Sequence, residues 1–285
     1  MPEPQVNQVT QLDQDMPAPA PGSVERPRSW APAIHDDGHG YDLFGANVPW
    51  INRLARVNAF FYEKWFRVES NGIENIPKQG AAIIVANHSG NYPIDGIMVW
   101  ADVLRNTHPT RLLRPIAAHF MPTTPFVATL AARMGVVGGV RTNVEHLLSQ
   151  GELLLIFPEG ISGITKGFGQ RYKLRDFSEG HAEFALRYKV PVIPLAVIGA
   201  EEQLPEFFGI PYGKFGVKRI PIPLVPFPLP VRYHMYYGAP IYLHERFPAD
   251  AADDPAVVNE CAHITRDAVQ QLVKHGLSLR KGIFR

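Results

Sequence analysis

Residues 81–96 read AAIIVANHSGNYPIDG. The first six are apolar without interruption, a short run typical of a buried strand, and Gly96 to Leu104 continues with a helical pattern. Between them lies a polar loop that opens on His88 and closes on Asp95. Working outward, the same alternation repeats. Leu112–Ala117, Leu153–Phe157 and Val192–Ile198 read as further strands, and Phe126–Met134 and Ser178–Tyr188 as helices. Thr142 and Glu145 have the spacing of a capping box and predict a helix ending near Gln150–Gly151. Strand alternating with helix implies an α/β fold with a mainly parallel central sheet flanked by helices, in a single layered domain. In such sheets ligands bind where strands hand over to loops at their carboxyl ends.

The flanks are less regular. Residues 1–42, rich in Pro, Gln, Ala and Asp and without apolar period, read as a disordered leader. Residues 43–285 then form the domain, with a motif-bearing core over about 60–245 and a C-terminal helix over about 255–275. An N-terminal amphipathic helix over 49–67 sets Trp50, Leu54, Val57, Phe61 and Trp65 on one face, alternating with Arg53, Arg56, Lys64 and Arg67. Its two readings are an ordinary core-facing helix and an interfacial one. The run IPIPLVPFPLP (220–230) is apolar, yet its prolines forbid a regular helix or a central strand. Arg232–Tyr237 reads as a late strand. Asp254–Pro255 places a capping carboxylate before a first-turn proline and opens the last helix, with Val257, Cys261, Ile264, Ala268 and Leu272 inward.

Composition narrows the function classes. In 285 residues, 46% are hydrophobic and the net charge is +1, which suits one sizeable core and argues against nucleic-acid binding by bulk electrostatics. The single cysteine, Cys261, cannot form an intramolecular disulfide, so a reducing compartment is the plain expectation. No stretch approaches the roughly 18 apolar residues of a spanning helix, and the first residues lack signal-peptide character.

Three strand-to-loop handovers carry the chemistry. His88 with Asp95 suits a general base held by an acidic partner, and equally a loop histidine beside a helix-capping aspartate. Glu159, after strand 153–157, points into the same cleft or sits in a surface turn. Gly135-Val-Val-Gly-Gly-Val-Arg141 combines glycines that permit close backbone approach with an arginine for an anion, or for a solvated ion pair. No cluster suggests a metal site.

These blocks, in this order, resemble the glycerolipid acyltransferase family that includes the 1-acylglycerol-3-phosphate acyltransferases. The matches are His88 with Asp95, Gly135 with Arg141, Phe157-Pro158-Glu159-Gly160, and Val190-Pro191-Val192-Ile193-Pro194, over about residues 60–245. The resemblance implies an O-acyltransferase. His88 would deprotonate a lipid hydroxyl, Asp95 would fix the imidazole, and Arg141, Glu159, Gly160 and Lys166 would serve substrate binding. It further implies a thioester co-substrate (acyl-CoA or acyl carrier protein), no other cofactor, a glycerolipid or lysophospholipid acceptor, and peripheral attachment to the cytoplasmic face of a membrane. Two departures stand out. Ser89–Ile94 makes the His–Asp loop two residues longer than the family's commonest form. The family's frequent Glu-Gly-Thr-Arg is Glu159-Gly160-Ile161-Ser162 here, followed by Lys166, so an arginine that helps bind phosphate is missing. A hydrolase would use the same His/Asp pair with water as acceptor, although the chain lacks the Gly-x-Ser-x-Gly elbow of the serine type. A non-catalytic lipid-binding protein on the same fold is the third reading.

Overall fold

The computed structural model describes residues 30–89, 93–118, 126–214, 217–248 and 250–285. Among the described residues nine strands are β1 (Glu69–Asn71), β2 (Ala82–Ala86), β3 (Leu113–Ala117), β4 (Val137–Gly138), β5 (Leu153–Ile156), β6 (Val192–Ile198), β7 (Glu206–Lys214), β8 (Val217–Pro223) and β9 (His234–Tyr237). The same residues form seven α-helices, α1 (Val48–Phe60), α2 (Ile94–Asn106), α3 (Val127–Met134), α4 (Arg141–Ser149), α5 (Gly160–Ile164), α6 (Gly180–Arg187) and α7 (Pro255–Leu279). Seven strands form the central sheet in the order β1-β9-β6-β2-β5-β3-β4. Five consecutive ones run parallel, and β9 joins β6 antiparallel. The mainly parallel sheet flanked by helices is the fold the alternation implied. β7 and β8 form a separate two-stranded ribbon, where Pro221 and Pro223 cost no ladder in the main sheet.

Every residue of β2 is buried because both faces of the sheet are covered. Ile84 packs toward α1 and α2 together with Leu155 and Leu195, whereas Ile83 and Val85 pack toward α4, α6 and α7. On the first side, Asp102 of α2 is fully buried, forms no ion pair among the described residues and accepts four hydrogen bonds. They come from Tyr62 (2.5 Å), Asn106 (2.7 Å), Ser70 (2.8 Å) and Tyr237 (2.7 Å). Burial, and next the Asp102 charge, raise the Tyr62 and Tyr237 hydroxyls far above the ordinary phenol range, so both stay protonated donors. This carboxylate ties α2 to the end of α1 and to β1 and β9.

Helices α1 and α7 bury a line beside the one their bulky residues suggest. In α1 the buried residues are Ile51, Ala55 and Asn58, continued by Tyr62 in a π-helical turn over Phe61–Trp65. Val57 is 63% exposed, and Trp50, Leu54, Phe61 and Trp65 are half-buried along the helix flank. In α7 the most buried line is Val258, Cys261, Ala262, Thr265, Val269, Val273 and Gly276; Cys261 is inward as expected, while Val257, Ile264, Ala268 and Leu272 pack half-buried against the same core. Its cap is as expected, with Asp254 accepting from Ala256 N at 2.9 Å. The capping box is not formed. α4 begins at Arg141 with Val140 as cap, so Thr142 already lies inside the helix. Of the expected leader, residues 1–29 lie outside the described residues. Residues 30–47 carry no strand and no complete helix, but Trp30 and Ala46 are buried and Asp42 pairs with Arg114 at 2.5 Å.

Gly199, just after β6, has φ +101, and a Cβ there would lie 2.3 Å from the carbonyl oxygen of Arg232. Backbone cannot yield as a flexible side chain would. Gly199→Ala is therefore expected to cost at least about 2 kcal/mol of stability, read as a lowered urea midpoint at constant slope. An unchanged midpoint would show that the end of β6 and the segment before β9 can separate freely.

Candidate active site

The carboxyl ends of β2 and β5 lie side by side, because Val85 is in register with Ile156. The first loop residue after β2, Asn87, is buried and behaves as a piece of strand. Its side chain donates to Val197 O at 3.1 Å and accepts from Val197 N at 2.8 Å, fixing the loop to β6. His88 follows. Its Nδ1 lies 2.7 Å from Oδ2 of Asp95, which is fully buried in the first turn of α2. The same oxygen accepts from Ser89 N at 2.9 Å and Ser89 Oγ at 3.1 Å, and Oδ1 accepts from Gly96 N at 2.7 Å. The long loop therefore does bring the carboxylate back to the imidazole. With Nδ1–H held by Asp95, the Nε2 lone pair is the ring's basic site, and it has no hydrogen-bond partner among the described residues. The ring stacks on Phe157 at 4.2 Å, and its side chain is 17% exposed.

Glu159 is placed beside this pair, but its carboxylate is buried and committed. Oε1 accepts from His88 N at 3.0 Å, and Oε2 accepts from Arg175 N at 2.8 Å. Lys166, equally buried, bridges Glu159 at 3.0 Å and Glu201 at 3.2 Å. Glu201 in turn accepts from Asn87 Nδ2 (3.4 Å) and from Tyr172 N (2.8 Å), and its burial raises its pKa. Expected as substrate-binding groups, Glu159 and Lys166 instead have their polar atoms spent on the protein, and together they hold the His88 loop in place. Gly160 opens α5 at φ +53. Gly163 lets α5 approach, since a Cβ there would lie 2.8 Å from Glu159 Cβ and 3.1 Å from His88 Cβ.

Arg141 is not brought to His88. It stands at the start of α4, half-exposed, with its guanidinium forked on Glu183 (2.6 and 3.1 Å) and its Nε on Glu145 (3.0 Å). This is the ion-pair alternative for that residue. Hydrogen bonds from Arg141 hold the Glu183 carboxyl below its ordinary range. Nothing in the sequence marked Ser89 or Phe157 as partners of the pair. Glu201 had a usable signal, since it too follows a buried strand at its carboxyl end. Among the described residues no three His, Cys, Asp or Glu side chains converge as a metal centre requires. An apolar cleft of about 400 Å³ lies at the carboxyl ends of β3 and β4, lined by Phe44, Ala117, Ala128, Ala132, Val136 and Gly138.

Residues 67–198 match the family model described as Acyltransferase. A protein of Mycobacterium tuberculosis described only as uncharacterized is 36% identical over 263 residues, which are 86% of this chain and 72% of that protein. The "DGAT1/2-independent enzyme synthesizing storage lipids" of Bos taurus is 29% identical over 213 residues, or 74% of this chain and 60% of that enzyme. Among solved structures, the 1-acyl-sn-glycerophosphate (LPA) acyltransferase PlsC of Thermotoga maritima superposes with a TM-score of 0.53 at 20% identity, covering 81% of each chain. At that identity the likeness concerns the fold.

Proposed function

The chain belongs to the acyltransferase family, and we propose that it moves a fatty acyl group from a thioester, acyl-CoA or acyl carrier protein, to a hydroxyl of a glycerolipid or lysophospholipid. The observation that carries the residue assignment is the His88–Asp95 pair, with Nδ1 on a buried carboxylate and Nε2 without a hydrogen-bond partner among the described residues. His88 Nε2 takes the acceptor's O–H proton as that oxygen attacks the thioester carbonyl. The tetrahedral adduct collapses with cleavage of the C–S bond, and the imidazolium returns its proton to the departing thiolate. Ester and free thiol are the products. Asp95 keeps the tautomer and stabilises the imidazolium while staying ionised. Ser89 is no nucleophile in this scheme, because its hydroxyl donates to Asp95. The apolar cleft by β3 and β4 supports a place for the acyl chain, since those strands lie roughly 10–15 Å from β2 at ordinary sheet spacing. Incubating the protein with labelled acyl-CoA and a panel of lyso-lipids and partial glycerides tests the reaction. Labelled ester supports it, and labelled free fatty acid alone would mean a hydrolase.

Such substrates live in a bilayer, and no helix among the described residues is long and apolar enough to cross one. The half-buried flank of α1 supports peripheral attachment. It joins the proline-rich segment into one aromatic surface, with Phe227 edge-on to Trp65 at 5.4 Å and tilted against Phe61 at 6.3 Å, and Trp65 Nε1 donating to Pro228 O at 3.0 Å. Phe60 (55% exposed), Leu224 and Phe227 are exposed on it, and Arg53 lies over Trp50 at the other end of the helix. This is the aromatic and basic profile of an interfacial helix. The protein is expected to float with vesicles containing anionic lipid and to be released in part by high salt. Phe60→Asp with Phe227→Asp should abolish flotation; flotation of that variant at the wild-type level would place the membrane contact elsewhere.

A further inference from the structure

The sequence groups Lys166, Arg171, Lys173 and Arg175, but the structure separates them. Lys166 is buried between two carboxylates. In the stretch 171–175 burial alternates: Tyr172 and Leu174 are buried, Lys173 and Arg175 exposed, and Arg171 half-buried. The segment belongs to no strand, and side chains from both flanks hold its backbone. Tyr172 N and Arg175 N donate to Glu201 and Glu159, both at 2.8 Å. From α7, Gln270 accepts from Leu174 N and donates to Tyr172 O, both at 3.3 Å, and Arg266 donates to the carbonyls of Leu174 (3.4 Å) and Arg175 (3.2 Å). Tyr172 is kept at φ +64, a conformation that costs a residue with a Cβ and persists only where its surroundings impose it.

Two side-chain cations of this held segment, Lys173 and Arg175, meet no carboxylate among the described residues, whereas the third is paired. Arg171 lies 3.6 Å from Glu202 and over the Phe168 ring. Neither Lys173 nor Arg175 has a carboxylate within ion-pair distance among the described residues, whereas Arg141 is forked on Glu183. The connection to the base is direct. One Glu159 oxygen takes the N–H of His88 and the other that of Arg175, so a single carboxylate separates the two backbones. We propose that Arg175, assisted by Lys173, forms an anion subsite for a phosphate group on one of the two substrates, either the donor's nucleotide phosphates or a phosphorylated acceptor headgroup. The inference rests on the acyl-transfer reading. A guanidinium grips two phosphate oxygens at once, and the neighbouring ammonium adds a point charge.

Arg175 meets Glu159 through its backbone, so replacing the side chain spares that bond and the fold. Steady-state kinetics would compare palmitoyl-CoA with palmitoyl-N-acetylcysteamine, and lysophosphatidate with monoacylglycerol. Arg175→Gln should raise KM roughly ten- to hundredfold for the phosphate-bearing substrate that uses the subsite, with kcat far less affected. Arg175→Lys should recover part of the loss, and the phosphate-free analogues should keep their KM. A rise confined to palmitoyl-CoA identifies the donor as the source, and one confined to lysophosphatidate the acceptor. Unchanged KM for both, or an equal rise with the phosphate-free analogues, would overturn the subsite. A second arm needs no turnover: calorimetry of CoA and of glycerol 3-phosphate with wild type and Arg175→Gln. Binding lost in the variant supports the subsite even if the wild type acylates no acceptor, a result that would sink only the acyl-transfer reading. Equal titrations in both proteins would sink the subsite whatever the turnover.

Discussion

His88→Ala is expected to lower acyl transfer roughly 100- to 10,000-fold, the usual worth of a positioned general base. Free hydroxyls are poor nucleophiles at neutral pH, and no other described histidine is held by a buried carboxylate. The same change should leave the fold nearly intact. Asp95, the group most exposed to the loss, keeps its bonds from Ser89 N, Ser89 Oγ and Gly96 N. Glu159 keeps the backbone N–H of residue 88, which alanine supplies equally well. The loss is therefore confined to one stacked ring and one hydrogen bond, on the order of 1 kcal/mol. The signature is a soluble protein of near-wild-type urea midpoint with almost no turnover. A variant that retained more than a tenth of wild-type turnover would show that another group takes the proton.

Lys166→Met should do the reverse and strike stability first. The Lys166 ammonium lies between Glu159 and Glu201, and all three side chains are at most 5% exposed. Removing the cation leaves two carboxylates sharing one buried space, and uncompensated buried charge costs about 3–5 kcal/mol. Each acid retains backbone N–H donors, which places the loss toward the lower end of that range. The pH dependence identifies the cause. Burial already raises the Glu201 pKa, with Lys166 as the largest opposing influence; without Lys166 it rises further. A carboxyl whose folded pKa exceeds its unfolded value binds more protons when folded, so stability falls as pH climbs from the ordinary glutamate range through the raised value. The deficit of the variant should be smaller near pH 5 than near pH 8, as read by urea unfolding at both. A deficit independent of pH would point to packing instead of charge. Because this triad also holds the His88 N–H and the Arg175 N–H, turnover should fall in proportion to the folded fraction or faster.

The parallel strands were legible because burial on both faces writes them as unbroken apolar runs, as in residues 82–86, 153–156 and 192–198. β1 was not, since Glu69-Ser70-Asn71 carries no such run and owes its strand geometry to β9 alone. The β7–β8 ribbon lacked a readable period because prolines and glycines interrupt it. Helix existence was clear, but in α1 and α7 the most buried line lies beside the expected one. Size explains this: the central line of each uses Ala55, Asn58, Ala262 and Gly276, small or polar residues that permit close approach, while bulky neighbours wrap the sides. At the site, position relative to strand ends located His88, Asp95 and Glu159. It did not say whether a charged group there faces solvent or protein. That depends on tertiary partners such as Glu201 for Lys166 and Glu183 for Arg141, which no local pattern announces.

The pairing of β1 with β9 also sets an order of events during synthesis. Asn71 is 164 residues from Met235, which accepts its side-chain amide and belongs to its partner strand. At ribosomal rates of about 5–20 residues per second, β1 waits roughly ten to thirty seconds for that partner to emerge. β6 is complete well before then and shows an unpaired apolar edge on the side β9 will cover. Open edges of this kind invite pairing with other chains. The nascent domain thus passes through an interval in which its hydrophobic sheet is assembled on one side and adhesive on the other. Fragments that stop short of residue 237 would remain in that condition, aggregating even though His88, Asp95 and Glu159 are all present.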